Sequence, residues 1–184
     1  MDRQQPPKTK RSSSQPALQS AMQPTLQSTT QPSLRGRALR LLGRREFSRQ
    51  ELEKRLRSYS DADYPAELET LLDDFAERGW ISDARYADAL VRKRTGQFAR
   101  RSIAQELKKA GVNEEVAAAA LPAADPDAEF AAALALCRRK FRRAPADQKE
   151  KARQIRFLQS RGYGLSLVLR VLKHAGSEGE DAGD

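Results

Sequence analysis

The chain has 184 residues, of which 39% are hydrophobic, 6% aromatic and 32% charged, enough to fold but only around modest cores. Its 34 Lys+Arg outweigh 25 Asp+Glu, a net charge of +9 that points to a polyanionic partner and says nothing about fold. With one cysteine and one histidine there is no internal disulfide, no cysteine-based zinc site and no Cys-His or Ser-His-Asp set, and no apolar run reaches the ~20 residues that span a bilayer.

Residues 1–33 are rich in Gln, Pro, Ser and Thr and repeat Gln-Pro-x-Leu at Gln15, Gln23 and Gln31. Proline at that interval blocks helix, and too little is apolar to offset ordering, so a disordered leader is expected. A first unit, 34–81, opens with a helix carrying Ala38, Leu41 and Leu42 and breaks at Gly43. Ser48 and Glu51 form the pattern of a capping box, with Phe47 and Leu52 at the staple positions. A loop over Ser58 to Asp63 precedes a third helix that starts at Pro65, follows Leu68, Leu71, Leu72 and Phe75, and ends at Gly79. Trp80 and Ile81 are placed to fold back on it.

The second unit, 82–124, starts at the cap candidate Ser82 and runs through Tyr86, Ala87, Leu90 and Val91 to Gly96. Its second helix carries Ile103 and Leu107 and closes at Gly111; Asn113 caps a short third helix that Pro122 stops. The third unit, 125–174, opens at Asp125-Pro126 with the stripe Phe130, Ala133, Leu134, Cys137 and Phe141, where Cys137 reads as core filler. Helices over roughly Ala146 to Ser160 and through Val168, Val171 and Leu172 complete it, with His174 at the end of the last. Residues 175–184 read as a disordered acidic tail. The expected fold is all-α: three tandem three-helix repeats in an elongated, curved array between disordered tails.

The carboxylate pairs Asp73-Asp74 and Glu114-Glu115 diverge on their helices and read as solvated faces, and no glycine-rich phosphate cradle is present. The chain therefore reads as a non-enzyme with no metal or cofactor, a soluble cytoplasmic monomer. Its basic residues recur instead. The first helix of each unit ends in a cluster: Arg44 and Arg45, then Arg92 and Arg94, then Arg138, Arg139 and Lys140. Arg45 to Arg94 is 49 residues and Arg94 to Arg139 is 45. One or two cations in a last helical turn offset the macrodipole, by about 0.3–1 kcal/mol each; the third cluster holds more than that role requires. Arg100, Arg101, Arg156 and Arg161 extend the pattern along the second helices, and these eleven residues are the candidates for a polyanion-facing surface.

The run from Arg37 through Leu-Gly-Arg-Arg-Glu-Phe-Ser to Leu52, then Gly79-Trp-Ile-Ser-Asp-Ala-Arg-Tyr-Ala87, resembles the bacterial regulatory protein RecX family. Arg138-Arg-Lys-Phe141 and Arg156-Phe-Leu-Gln-Ser-Arg-Gly-Tyr163 match its third unit, and the resemblance covers about Leu34 to His174. The Gln/Pro leader and Gly164 depart from the family pattern. The resemblance implies a modulator that binds the RecA–DNA filament and limits its growth, ATP hydrolysis and strand exchange in DNA recombination, repair and the SOS response. It also implies contact with single- or double-stranded DNA without strong sequence preference. A different reading of residues 48–78 is a helix-turn-helix DNA-binding transcriptional regulator, against which stand the long connecting loop and the acidic helix that follows it.

Overall fold

The computed structural model describes residues 33–59, 65–141 and 143–180, and the Gln/Pro leader lies outside them. Among the described residues it is helical, with nine α-helices and no strand. They are α1 Leu34–Leu42, α2 Arg49–Arg57, α3 Pro65–Glu77, α4 Asp83–Arg94, α5 Arg100–Lys109, α6 Glu114–Ala120, α7 Pro126–Lys140, α8 Gln148–Ser160 and α9 Leu165–Glu180. None is long and apolar enough to cross a membrane.

Local chemistry sets most of these boundaries. Ser33, Ser48, Ser82, Asn113, Asp125 and Asp147 each accept a bond from a backbone N–H in the first turn of the helix they precede. Gly79, Gly96, Gly111 and Gly162 take φ of 67°, 73°, 76° and 92°, where an L side chain is strained. The capping box at Ser48 is only half made. Its hydroxyl accepts from Glu51 N at 3.1 Å, but the Glu51 carboxylate holds Arg45 instead of reaching back. At α8 Glu150 N donates to Asp147 Oδ1 at 2.7 Å, and the Glu150 carboxylate reaches back to the residue before the cap, accepting from Ala146 N at 2.9 Å.

Three cores follow from the helical periodicity. Ala38, Phe47, Leu52, Leu56, Leu68, Leu72, Phe75 and Ile81 close the first, between α1, α2 and α3. Tyr86, Ala87, Val91, Ile103, Leu107, Val112 and Leu121 close the second, between α4, α5 and α6. The third gathers Leu134, Leu136, Cys137, Leu158, Tyr163, Val168, Val171 and Leu172 from α7 to α9, and takes Ala99 from the unit before. Each fully buried aliphatic side chain stabilises by about 1.5–3 kcal/mol.

Two expectations need correction. Helix α9 runs to Glu180, with Ala175 packed on the third core. His174 consequently stands within α9 rather than at its end, its ring 5.7 Å from Phe130. Asp73 and Asp74 are not merely solvated. Asp73 pairs with Arg49 at 2.7 Å, and Asp74 with Arg35 at 2.8 Å and Arg78 at 2.5 Å.

Candidate polyanion-binding surface

The second helices of the three units meet end to end. At the N-terminus of α2, the Ser48 hydroxyl donates to Ala110 O, past the C-terminus of α5, at 2.6 Å across 62 residues. At the N-terminus of α5, Ala99 N donates to Arg161 O, past the C-terminus of α8, at 2.9 Å across the same separation. A shift of 51 positions therefore carries one joint onto the other: Ser48 to Ala99, Ala110 to Arg161, Gly111 to Gly162. In both, orphan carbonyls at a helix end meet donors at a helix start, joining opposite ends of two macrodipoles. Backbones approach closely there. A Cβ on Gly111 would lie 2.7 Å from the Gln50 Cβ, and one on Gly162 2.6 Å from the Ser102 Cβ.

The row α8–α5–α2 is basic along its length. Lys54 and Arg55 on α2, Lys108 and Lys109 on α5, and Lys149, Lys151, Arg153 and Arg156 on α8 are all exposed. Only Arg156 of these belongs to the eleven candidates. The others lie along the second helices, outside the clusters ending α1, α4 and α7 that recur at 49 and 45 residues.

The structure divides the eleven candidates. Arg44, Arg92, Arg139, Lys140 and Arg156 are exposed and have no ion-pair partner among the described residues. Arg138 is exposed beside them on the last turn of α7. Five others hold the fold together. Arg45 is bidentate on Glu51 at 2.9 and 3.0 Å and covers the Phe47 ring at 3.7 Å. That hydrogen bond to Glu51 raises the Arg45 pKa above its ordinary value. Arg94 repeats the device one unit on, bonding Glu106 at 2.7 Å and standing 5.0 Å from the Phe98 centroid.

Arg100, Arg101 and Arg161 belong to the joints and linkers. Arg100 Nε donates to Pro122 O at 2.9 Å, and Arg101 Nε donates to Gly162 O. Arg161 lies over Phe98 and Phe157, at 5.2 and 4.6 Å from their centroids, and bonds Gln97 O at 3.4 Å. Ring faces and backbone carbonyls thus occupy guanidiniums that composition alone would offer to a phosphate.

Cys137 is buried, 3.7 Å from Gln154 Oε1, and burial pushes its thiol pKa up, away from the reactive thiolate. No group of three His, Cys, Asp or Glu among the described residues could hold a metal ion.

Comparison with known proteins agrees with this architecture. Residues 82–121 match the family model described as RecX, second three-helix domain, and residues 127–172 match RecX, third three-helix domain. The regulatory protein RecX of Neisseria meningitidis serogroup B is 41% identical over 145 residues, covering 79% of this chain and 92% of that protein. The RecX of Leptothrix cholodnii is 43% identical over 144 residues, covering 78% and 90%. In fold, the chain is similar to the crystal structure of RecX from Lactobacillus salivarius, with a TM-score of 0.58 at 20% identity, over 77% of this chain and 94% of that one.

Proposed function

Starting from the fact that this chain belongs to the RecX family of regulatory proteins, we propose that it docks on the RecA–DNA filament and restrains filament growth, ATP hydrolysis and strand exchange. It acts without catalysis of its own, as a cytoplasmic monomer. The observation that carries this reading is the end-to-end row of α8, α5 and α2 with its exposed Lys and Arg. A filament repeats its protomers and its phosphates, and a row of equivalent basic helices can meet several successive phosphates at once. Arg156 belongs to that row, and Arg92, Arg139 and Lys140 supply further contacts; Arg45, Arg94 and Arg161 act by holding helices in place.

The test is RecA ATP hydrolysis on single-stranded DNA, titrated with this protein at several salt concentrations. Turnover should fall with added protein, and the effect should fade steeply as salt rises. Joint substitution Arg92→Glu and Arg139→Glu should raise the protein concentration for half inhibition about tenfold with helicity unchanged. Turnover indifferent to the wild-type protein at every salt concentration would remove RecA as the partner.

A further inference from the structure

We infer that the chain hinges between its first and second units, while the second and third units move as one body. The hinge belongs to the free chain, whatever its partner. Both joints bring a helix start to a helix end, but they differ in what surrounds that meeting. Across the first, the Ser48 hydroxyl donates to Ala110 O at 2.6 Å, Arg49 N donates to Asp83 Oδ1 at 2.9 Å, and Arg85 pairs with Glu46 at 3.1 Å. All three are polar, and the ion pair is accessible enough for salt to screen it. Among the described residues, the first core takes no side chain from the second unit, nor the second core any from the first.

Across the second joint, apolar and ring contacts join the hydrogen bonds. Ala99, buried, is part of the third core. The Arg161 guanidinium is shared by Phe98 of one unit and Phe157 of the other, at 5.2 and 4.6 Å from their centroids. Ala99 N and Arg101 Nε donate to the carbonyls of Arg161 and Gly162. The spaces beside the joints differ in the same sense. A cleft of about 390 Å³ at the first is lined by charged groups of both units, among them Arg45, Glu46, Glu51, Lys93 and Glu106. One of about 300 Å³ at the second is walled mainly by apolar groups, among them Phe98, Ile103, Pro122, Ala128 and Ala132. Widening a charged cleft brings water to groups that favour it, whereas widening an apolar one exposes hydrocarbon. The first joint therefore opens more readily, as a hinge built on element ends does. Swinging there carries α2 out of line with α5 and α8.

Amide hydrogen exchange of the full-length wild-type protein, read residue by residue by NMR, tests this. Arg49 N and Ala99 N each donate across one joint, so each reports the opening of its own. Corrected for intrinsic rates, Arg49 N should exchange at least tenfold faster than Ala99 N. It should also outpace Leu52 N, bonded within the first unit to Ser48 O at 3.0 Å, by a similar factor. Equal protection of Arg49 and Ala99, or the reverse order, overturns the hinge. Exchange of Leu52 N as fast as that of Arg49 N makes the event unfolding of the first unit and overturns it too. Pulsed electron resonance then measures the swing, with spin labels on exposed sites in a Cys137→Ala background. The distance distribution between Thr70→Cys and Ala119→Cys should be at least twice as wide as that between Ala119→Cys and Ala135→Cys. Equal widths overturn the proposal whatever the exchange rates. The wild-type exchange decides the matter where a labelled variant fails to fold.

Discussion

The first and third units have the same three-helix plan and spend their positive charge differently. In the first unit Arg35, Arg45, Arg49, Arg57 and Arg78 are held by Asp74, Glu51, Glu69 with Asp73, Glu53 and again Asp74, and Arg85 reaches back from α4 to Glu46. In the third, Arg139, Lys140, Lys149, Lys151, Arg153 and Arg156 have no ion-pair partner among the described residues. The carboxylates of α2 and α3 make the difference; α8 carries Glu150 alone. Similar basic content therefore gives an internally neutralised unit at one end and an open cationic one at the other. Phosphate affinity should be concentrated at the third unit.

The largest expected effect breaks that asymmetry directly. Joint reversal of Lys149, Lys151 and Arg156 to Glu should lower DNA affinity at low salt by about 100-fold, and the salt slope should fall by roughly one for each phosphate left without its cation. Reversal of Lys54 and Arg55 on α2 should cost only a few-fold. Anisotropy titrations over a salt series read both, and equal reductions in affinity would end the distinction between the units.

Next come the joints that carry the two ends. Gly162→Ala strains a φ of 92° and drives a Cβ against the fixed Cβ of Ser102; urea unfolding should show a stability lower by about 2–3 kcal/mol. Gly111→Ala strains a φ of 76° and meets Gln50, whose outer atoms can swing away though its Cβ cannot, so about 1–2 kcal/mol is expected. A larger destabilisation at Gly111 would place the tighter joint at the first unit.

The smallest effect is pH dependence confined to the first unit. Hydrogen bonds from Arg78 and then Arg35 hold the Asp74 carboxyl below the ordinary aspartate range. A lowered folded pKa contributes stability that is present above the unfolded value and lost as pH falls through the folded one. Because the pairs are exposed, Asp74→Asn should shift the unfolding midpoint only slightly at neutral pH, and the two proteins should converge in strong acid. A difference that grows on acidification would contradict the pairing.

Local features are legible in the sequence, and contacts between distant residues are not. The caps at Ser48, Ser82, Asn113 and Asp125 and the turns at Gly79 and Gly162 depend on neighbours within a few positions, so the residue type announces them. Arg45 reads as part of a binding cluster because nothing within a turn claims it; its partner Glu51 is six residues away, in a position that the capping-box pattern reserves for another bond. Arg101 and Arg161 are occupied by groups 61 and 64 residues distant. Buried Gln154, bonded to Cys137 and to Arg143 O, gives no sign in a basic helix that it faces inward. The repeat is visible through its clusters, while the 51-residue register that aligns the second helices emerges only where the chain meets itself.

The cap at α8 differs from those at α2 and α5 in where its partners come from. At α2 the Ser48 hydroxyl and at α5 Ala99 N donate to carbonyls of the next unit, whereas at α8 Glu150 N and Ala146 N are held by the Asp147 and Glu150 side chains. The third unit thus satisfies these donors from within, without a neighbour's carbonyls.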